Sequence, residues 1–465
     1  MLRYFRINDP YRLFGLLALF LLIQLPLFID PAGITFPELK SMIVGEKIVE
    51  GNTLYVDLVD TAAPLAGWFN GLISLLVGRS LFARHLLALI IVFFQASYVG
   101  VVFANKKAFA ENTYIPSLLF ILLFSYSFDT LSLTPELVGS TFLLPALNNL
   151  FKEIEFREQR NESIFNLGLY ISIASLFTFS YTIFIAGALL TLGIFTRNTA
   201  RKYLLLLFGF LLPHLLLASS YYLIDGVSPL WRYYYFPNLG NTTIPIISTP
   251  GLWVLGAIPG SYFLLSLVMM TREARLSKYQ NQLVQSMWFW MFFSMVQTLL
   301  SKEIRPQNFV TVIPALSFFI THFLLLIRRR KYAESHIWIL MVGIVLITYS
   351  SRYGGTKVNY RNLIVAEQES SIRNMRVLAL DDDRGIYKQN RLATPFFNWT
   401  LSKEIFLHPE YFENIITVYD GLAKDPPDII RDKNNLMKPF LERIPELRNQ
   451  YYRSGIYYNR RSVNN

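Results

Sequence analysis

The chain has 465 residues, of which 53% are hydrophobic and only 16% charged, and its formal net charge is +11 at pH 7. Soluble domains carry more charged residues than this, so the composition excludes an ordinary soluble protein. The basic residues cluster at the ends of apolar segments, where they indicate membrane orientation rather than nucleic-acid binding. The chain has no cysteine, which excludes disulfides and cysteine-based metal sites or nucleophiles.

The apolar residues form blocks long enough to cross a bilayer as helices, without the alternating polarity of strands. We predict an all-α polytopic membrane protein with about eleven transmembrane helices. Pro64–Val77 is apolar but short, so it is expected to lie at the interface or to re-enter the membrane. The other predicted spans are Gly15–Ile29, His85–Phe103, Tyr114–Phe128, Leu137–Phe151, Ile164–Phe179, Ile183–Phe195, Tyr203–Ile224, Leu252–Met270, Trp288–Leu300, Phe309–Ile327 and Trp338–Tyr349.

The connections between these spans predict an orientation. Every second connection is basic, at Lys106, Arg157, Arg197, Arg272 and Arg328, and the N-terminus is basic as well. Basic loops stay in the cytoplasm, so the N-terminus is predicted to be cytoplasmic and the residues after about 350 to lie outside. We expect a bacterial inner membrane protein.

The C-terminal residues 351–465 mix both charge signs and read as a small extracytoplasmic α/β domain. We therefore divide the chain into a transmembrane domain, residues 1–350, and this C-terminal domain. Within it, Met375–Asp383 is predicted to be a strand that runs into a turn, and Glu404–Tyr411 and Asn434–Tyr452 are predicted to be helical.

The stretch Asp30–Trp68 is acidic and lies between apolar segments, and its residues 30–63 form the first outer loop. Pro37 is suited to open a helix, and apolar residues then recur so that Glu38–Val49 is predicted to be an amphipathic helix on the membrane surface. Gly51 is predicted to end this helix, LYVDLVD to be extended, and the chain to re-enter the membrane at Pro64.

Three motifs resemble those of a known superfamily. GEKIVEGNTLYVDLVDTAAPL resembles the first outer loop of the GT-C glycosyltransferases, which include protein O-mannosyltransferases and aminoarabinose transferases. FDTLSLTPELVGSTFLL resembles their second acidic outer loop, and SKEIRPQNFVTVIPAL resembles a late loop with a basic residue and a proline. The C-terminal domain resembles the outer domain that many members carry.

This resemblance implies a sugar donor linked to a polyprenyl phosphate and inverting transfer to an unidentified acceptor on the outer face of the membrane. A carboxylate would deprotonate the acceptor hydroxyl, and a cation would stabilise the leaving phosphate. By the motifs, Glu38 is the candidate base. Asp57, Asp129 and Glu136 are supporting acids, and the candidates for the donor phosphate are Arg305, Lys302 and Arg232. No cofactor is certain, and a divalent metal is left open.

Other interpretations of these residues stay open. Many GT-C members carry an Asp-Glu pair where this chain has Phe36-Pro37-Glu38, so a catalytically inactive scaffold, or a component that binds or transports a lipid carrier, is the alternative function. Glu136 follows a proline at a predicted helix start, where an acid favours the helix dipole. Arg305 is also suited to anchor at the interface. A transporter would place acids and repeated halves inside the spans, and neither is evident.

Overall fold

The computed structural model describes residues 1–7, 9–155, 161–195, 200–240, 243–366 and 372–461. Its contacts divide the chain into two compact units. The first comprises residues 1–33, 80–217 and 241–363, and the second comprises residues 34–79, 218–240 and 364–465. The first loop is therefore grouped with the C-terminal residues. The predicted boundary near residue 350 stays a prediction.

The helical membrane protein predicted from the sequence is confirmed. In the described ranges, seven helices are long and apolar enough to cross a membrane: Arg12–Ile29, Leu81–Asn105, Ala200–Tyr222, Thr249–Glu273, Lys278–Leu300, Pro306–Leu326 and Arg330–Arg352. The other predicted spans form helices at Ile115–Phe124, Pro135–Glu155, Asn161–Phe177 and Ile183–Phe195, and the short apolar segment Pro64–Val77 is helical as well. The orientation predicted from Arg157 and Arg197 rests on residues outside the described ranges.

Polar turns extend several helices beyond their apolar cores. The helix predicted to start at Trp288 begins at Lys278, because Ser277 and Gln280 form a capping box. The Ser277 hydroxyl accepts a hydrogen bond from the Gln280 backbone N–H at 3.2 Å, and the Gln280 carboxamide accepts one from the Ser277 N–H at 3.1 Å. The hydropathy pattern alone therefore places this helix start too late.

Short connecting elements complete the first unit. Helical turns at Phe128–Leu131, Phe179–Thr182 and Pro306–Val312 each precede a longer helix, and Leu2–Phe5 opens the chain. The helix that follows the last of these turns is Ile313–Leu326. Two short strands, Ile244–Pro245 and Glu303–Ile304, pair in parallel. This pairing holds the residues immediately before Arg305.

The second unit contains the predicted α/β region. Its five-stranded sheet is parallel through Arg391–Leu392, Arg376–Ala379 and Ile429–Arg431, and then antiparallel through Tyr457–Arg460 and Tyr451–Ser454. Helices Trp399–Leu407, Phe412–Lys424, Lys438–Arg443 and Pro445–Gln450 accompany it, with a helical turn at Arg384–Lys388. Leu378, Ile430, Phe406 and Phe440 belong to one buried apolar cluster.

The strand predicted in Met375–Asp383 is confirmed as Arg376–Ala379. The helical structure predicted over Asn434–Tyr452 is present in part. Two short helices occupy this range, and Tyr451 already begins a strand. Pro445 separates the two helices, because a proline interrupts the hydrogen bonds of a helix interior.

The first-loop helix Phe36–Val49 forms a close pair with the helix that follows the loop, Pro64–Val77. Gly51, with φ of 88°, follows the first helix, as the sequence predicts. This helix was expected to bury one apolar face. In the structure it buries polar Ser41 and Lys47 as well as Leu39 and Ile43. The predicted extended piece LYVDLVD is instead a turn, in which Tyr55 has φ of 67°.

Gly45 allows the helices Phe36–Val49 and Pro64–Val77 to approach each other. A Cβ added at Gly45 would lie 2.7 Å from the Asn70 carbonyl carbon and 2.5 Å from the Ser74 Oγ. We therefore expect Gly45→Ala to destabilise the protein by roughly 1–3 kcal/mol, because the clash is with backbone. A lowered apparent Tm in detergent would confirm this. Gly256→Ala is the control, since an added Cβ there meets nothing within 4 Å; equal Tm values for both variants would contradict the close approach.

Residues 218–240 form the remaining part of the second unit. They form consecutive short helical turns, Val227–Leu230, Trp231–Tyr235 and Phe236–Leu239, of which the middle one has π-helical hydrogen bonding. Tyr234 is buried and stacks on Tyr55 with ring centroids 5.8 Å apart. The aromatic run WRYYYF is thus partly a packing element.

Candidate functional site

A buried ion pair joins two of the residues singled out in the sequence. Arg305 lies between the strand Glu303–Ile304 and the turn Pro306–Val312, and Glu136 lies in the first turn of Pro135–Glu155. The Arg305 Nη2 atom is 2.8 Å from the Glu136 Oε2 atom, and the two side chains are 2% and 17% exposed. The second acidic loop and the late loop therefore meet at this pair.

Asp129 belongs to the same cluster. Its side chain is fully buried and accepts hydrogen bonds from the Ser127 hydroxyl and, through Oδ2, from the Gln307 backbone N–H at 3.3 Å. The Ser127 Oγ atom is also 3.3 Å from the Tyr360 hydroxyl. The structure thus brings three predicted site residues, Asp129, Glu136 and Arg305, into one part of the first unit.

In this cluster, burial and neighbouring charges shift the pKa values in opposite directions. Burial raises the pKa of Asp129, even though Ser127 and Arg305 favour its charged form. Burial would lower the pKa of Arg305, but the neighbouring carboxylates of Glu136, Glu303 and Asp129 raise it overall. Arginine is always protonated in proteins, so Arg305 is a buried cation among carboxylates, with Glu136 as its direct partner.

The guanidinium of Arg305 has a buried N–H donor without a partner in the described residues. Its Nη2 faces Glu136, and its Nη1 donates to the Gln307 Oε1 atom at 3.0 Å. Within the described part of the chain, its buried Nε has no hydrogen-bond partner. A guanidinium has five N–H donors in a planar fork that matches phosphate oxygens. The arrangement is chemically suited to bind a phosphate group.

Glu38 lies in the second unit, at the start of the helix Phe36–Val49. Its side chain is 2% exposed, and its Oε2 atom accepts hydrogen bonds from the Thr35 N–H at 3.0 Å and the Thr35 hydroxyl at 2.9 Å. Thr35 and Glu38 form a capping box, which satisfies backbone donors at the helix start. Glu38 thus has a structural role in the cap, and its assignment as the base stays a prediction.

Asp60 and Asp57 anchor the rest of the first loop. The Lys40 Nζ atom lies 3.0 Å from the Asp60 Oδ1 atom, which also accepts from the Ala62 N–H at 2.6 Å. The Asp57 Oδ1 atom lies 2.5 Å from the Lys424 Nζ atom, and its Oδ2 accepts from the Thr53 N–H at 2.8 Å. Each carboxylate therefore caps a local turn and binds a lysine.

The Asp57 contacts predict a pH-dependent contribution to stability. Burial raises the Asp57 pKa, but the hydrogen bonds from Lys424 and Thr53 outweigh it and lower the pKa overall. A lowered folded-state pKa stabilises the fold above the unfolded pKa, and the gain is lost as pH falls through the folded one. Because Lys424 is largely exposed, we expect Asp57→Asn to cost about 1 kcal/mol or less at neutral pH.

The measurement for Asp57 is the apparent Tm of both proteins across a pH series. The difference between them should shrink as the pH is lowered, since the wild-type carboxylate then becomes protonated. Asp420→Asn, at an exposed acid of the helix Phe412–Lys424, serves as the control. A Tm difference for Asp57→Asn that grows toward acid pH would show that the ion pair is not its source.

The other two phosphate candidates differ from Arg305. Lys302 is half-buried, and its backbone carbonyl accepts a hydrogen bond from the Ile244 N–H at 2.7 Å. Arg232 is exposed in the second unit, and its guanidinium lies over the Tyr233 ring at 5.6 Å from the centroid. Of the three cations, the structure places Arg305 beside the predicted acids of the first unit.

One feature of the site was not predicted from the sequence. Gln307, a completely buried residue, contacts both Arg305 and Asp129, and only its position two residues after Arg305 could have signalled it.

The candidate ligands for a divalent metal are not clustered in the described residues. Among them, no group of three or more His, Asp or Glu side chains is arranged to hold a metal ion. The acids Asp129 and Glu136 are joined to hydrogen-bond donors and to Arg305 instead.

Comparisons with known proteins identify the fold. No family model and none of the curated proteins matches the chain. Among solved structures, it is similar to ArnT from Cupriavidus metallidurans bound to undecaprenyl phosphate, with a TM-score of 0.56 and 10% identity over 97% of this chain and 98% of that one. Its similarity to the apo state of ArnT has a TM-score of 0.58 and 12% identity over 91% and 94%. The chain therefore has an ArnT-like fold, and the polytopic helical architecture predicted from its sequence is confirmed.

Proposed function

We propose that this protein transfers a sugar from a polyprenyl-phosphate-linked donor to an acceptor, with inversion at the anomeric carbon. The observation that carries the proposal is the buried Arg305 beside Glu136 and Asp129 in a membrane protein with an ArnT-like fold. A lipid-linked donor lies in the bilayer, which explains why its enzyme is built from membrane helices. ArnT has been crystallised with undecaprenyl phosphate, which supports a polyprenyl phosphate as the ligand of this chain.

In the proposed reaction, Arg305 binds the donor phosphate. As the bond between the sugar and the phosphate breaks, negative charge grows on the leaving oxygen, and the guanidinium donors stabilise it. Glu136 holds the guanidinium in place through Nη2. Asp129 fixes the Gln307 backbone, and thereby the turn that follows Arg305.

The acceptor hydroxyl loses its proton to a carboxylate as its oxygen attacks the anomeric carbon. We propose Glu38 of the first loop as this general base, by its place in the GT-C-like motif. The phosphate leaves with the electron pair of the broken bond, so one base is sufficient. Reaction on the outer face of the bacterial inner membrane, with the N-terminus in the cytoplasm, is proposed from the basic connections at Lys106, Arg272 and Arg328.

A specific observation favours a second candidate function. Glu38 already serves the capping box with Thr35, where many GT-C members carry an acid pair. A protein that binds a polyprenyl phosphate without transferring its sugar would keep the Arg305 cluster and need no base. This candidate differs from the first in predicting lipid binding without glycosylation.

A gene deletion with complementation tests the proposal. Surface glycans, glycoproteins and lipids of the deletion strain are compared with those of the wild type by mass spectrometry, and binding of undecaprenyl phosphate is measured on the purified protein. Loss of one sugar from a surface product, restored by the wild-type gene, supports transfer. Lipid binding with an unchanged glycan profile would favour the second function, and absence of both would refute the two proposals together.

A further inference from the structure

The side chain of Gln307 is enclosed by hydrogen bonds on every polar atom. Its Oε1 accepts from the Arg305 Nη1 atom at 3.0 Å and from the Thr134 hydroxyl at 2.7 Å. Its Nε2 donates to the backbone carbonyls of Thr130 at 3.2 Å and Ser132 at 2.7 Å. A carboxamide has two donor hydrogens and one acceptor oxygen, so this side chain is fully satisfied and has one orientation.

Gln307 consequently joins the two loops of the candidate site. Its side chain and backbone contact residues of the segment between the helices Ile115–Phe124 and Pro135–Glu155, including Asp129. Arg305 is then held at two points, with Nη2 toward Glu136 and Nη1 toward Gln307. Its buried Nε is left as the donor without a partner in the described residues.

Gln307 is uncharged, so it contacts Arg305 without changing the net charge of the site. Glu136 already opposes the Arg305 charge, and the Asp129 and Glu303 carboxylates also act on it. A further carboxylate at position 307 would add negative charge next to the guanidinium and repel an anionic ligand. A carboxamide positions the guanidinium through the same oxygen geometry without adding negative charge.

We propose that Gln307 is a positioning residue that gives the site its preference for a phosphate-bearing lipid over the corresponding neutral lipid alcohol. This inference rests on the proposed function, in which Arg305 binds the donor phosphate. Gln307 itself acts through Arg305. Its effect is therefore expected on the selectivity for phosphate rather than on the affinity for the polyprenyl chain.

A matched control exists in the same unit. Gln297 is also completely buried, and its Nε2 donates to the Ser180 and Ser301 hydroxyls at 3.0 Å each. Its Oε1 accepts from the Thr311 hydroxyl at 3.0 Å. Replacing either glutamine by leucine removes a buried carboxamide and leaves its partners unsatisfied, but only Gln307 contacts Arg305 in this way.

The test measures the ratio of affinities for undecaprenyl phosphate and undecaprenol, using the full chain in lipid nanodiscs. The wild type should prefer the phosphate. Gln307→Leu should lower this preference about tenfold or more, as expected for losing the alignment of a charged hydrogen bond. Gln297→Leu should lower stability without changing the ratio. Gln307→Glu, which keeps the side-chain size, should also lose the preference.

The outcomes separate this inference from the proposed function. An unchanged ratio in Gln307→Leu, or in Gln307→Glu if the leucine variant does not fold, would overturn the positioning role, provided that Arg305→Gln/Glu136→Gln lowers the ratio. If Gln307→Leu and Gln297→Leu lower the affinity ratio equally, Gln307 has only a structural role. A ratio unaffected by Arg305→Gln/Glu136→Gln would refute the phosphate site itself.

Discussion

Replacing Arg305 and Glu136 together by glutamine is expected to reduce sugar transfer by roughly 100-fold or more, the usual cost of removing a donor that stabilises developing negative charge. The double variant is preferred to Arg305→Gln alone. The single change leaves the Glu136 carboxylate buried without its cation, which costs about 3–5 kcal/mol. Complementation of the deletion strain, scored by the quantity of the glycosylated product per molecule of membrane protein, gives the measurement.

Arg305→Lys provides a second test of the same residue. Lysine keeps the charge but loses the planar fork that matches phosphate geometry, so intermediate activity is expected. Arg328→Gln is a control, because its ion pair with Glu273 at 2.8 Å is on the exposed surface of the first unit. Full transfer activity in a folded Arg305→Gln/Glu136→Gln protein would exclude Arg305 from the reaction.

Glu38→Gln should reduce kcat by about 10²–10⁴-fold if Glu38 is the general base. Stability should change little, because glutamine also serves at this position of a capping box and its side-chain oxygen can replace the carboxylate acceptor. The substitution therefore separates the chemical role of Glu38 from its structural one. Donor affinity should stay unchanged, since Glu38 is not proposed to bind the phosphate.

Glu46→Gln is the control from the same helix. Glu46 forms an ion pair with Arg79 through Nε at 2.5 Å, and it has no proposed part in the reaction. Thr35→Val, which removes the cap hydroxyl, should cost about 1 kcal/mol of stability. If Glu38→Gln keeps normal kcat while the deletion strain lacks the product, then Glu38 is a capping residue and another group is the base.

Hydropathy predicts the helices of the first unit because each long apolar block needs an environment without water. Hydropathy predicts the ends of these helices less accurately. The helix beginning at Lys278 starts before its apolar core, and Ile115–Phe124 is much shorter than the predicted span Tyr114–Phe128, because the chain turns at Ser125–Leu131. Caps and turns depend on individual hydrogen bonds, which an average over a window does not resolve.

The candidate site was predicted in part because charges are rare in this chain. Asp129, Glu136 and Arg305 stand out in apolar surroundings, and two of them form the buried ion pair. Gln307 did not stand out, since a glutamine is uncharged and its role comes from a contact between loops distant in sequence. The Glu38 cap was available in the sequence, because Thr35-Phe36-Pro37-Glu38 is itself a capping-box pattern.

The most direct test of the central claim is a cryo-EM structure of the full chain in lipid nanodiscs with undecaprenyl phosphate. We predict that the phosphate lies within hydrogen-bond distance of the Arg305 guanidinium, with Nε among its donors, and that Gln307 still contacts Nη1. A phosphate bound elsewhere, with Arg305 and Glu136 still closed on each other, would contradict the account.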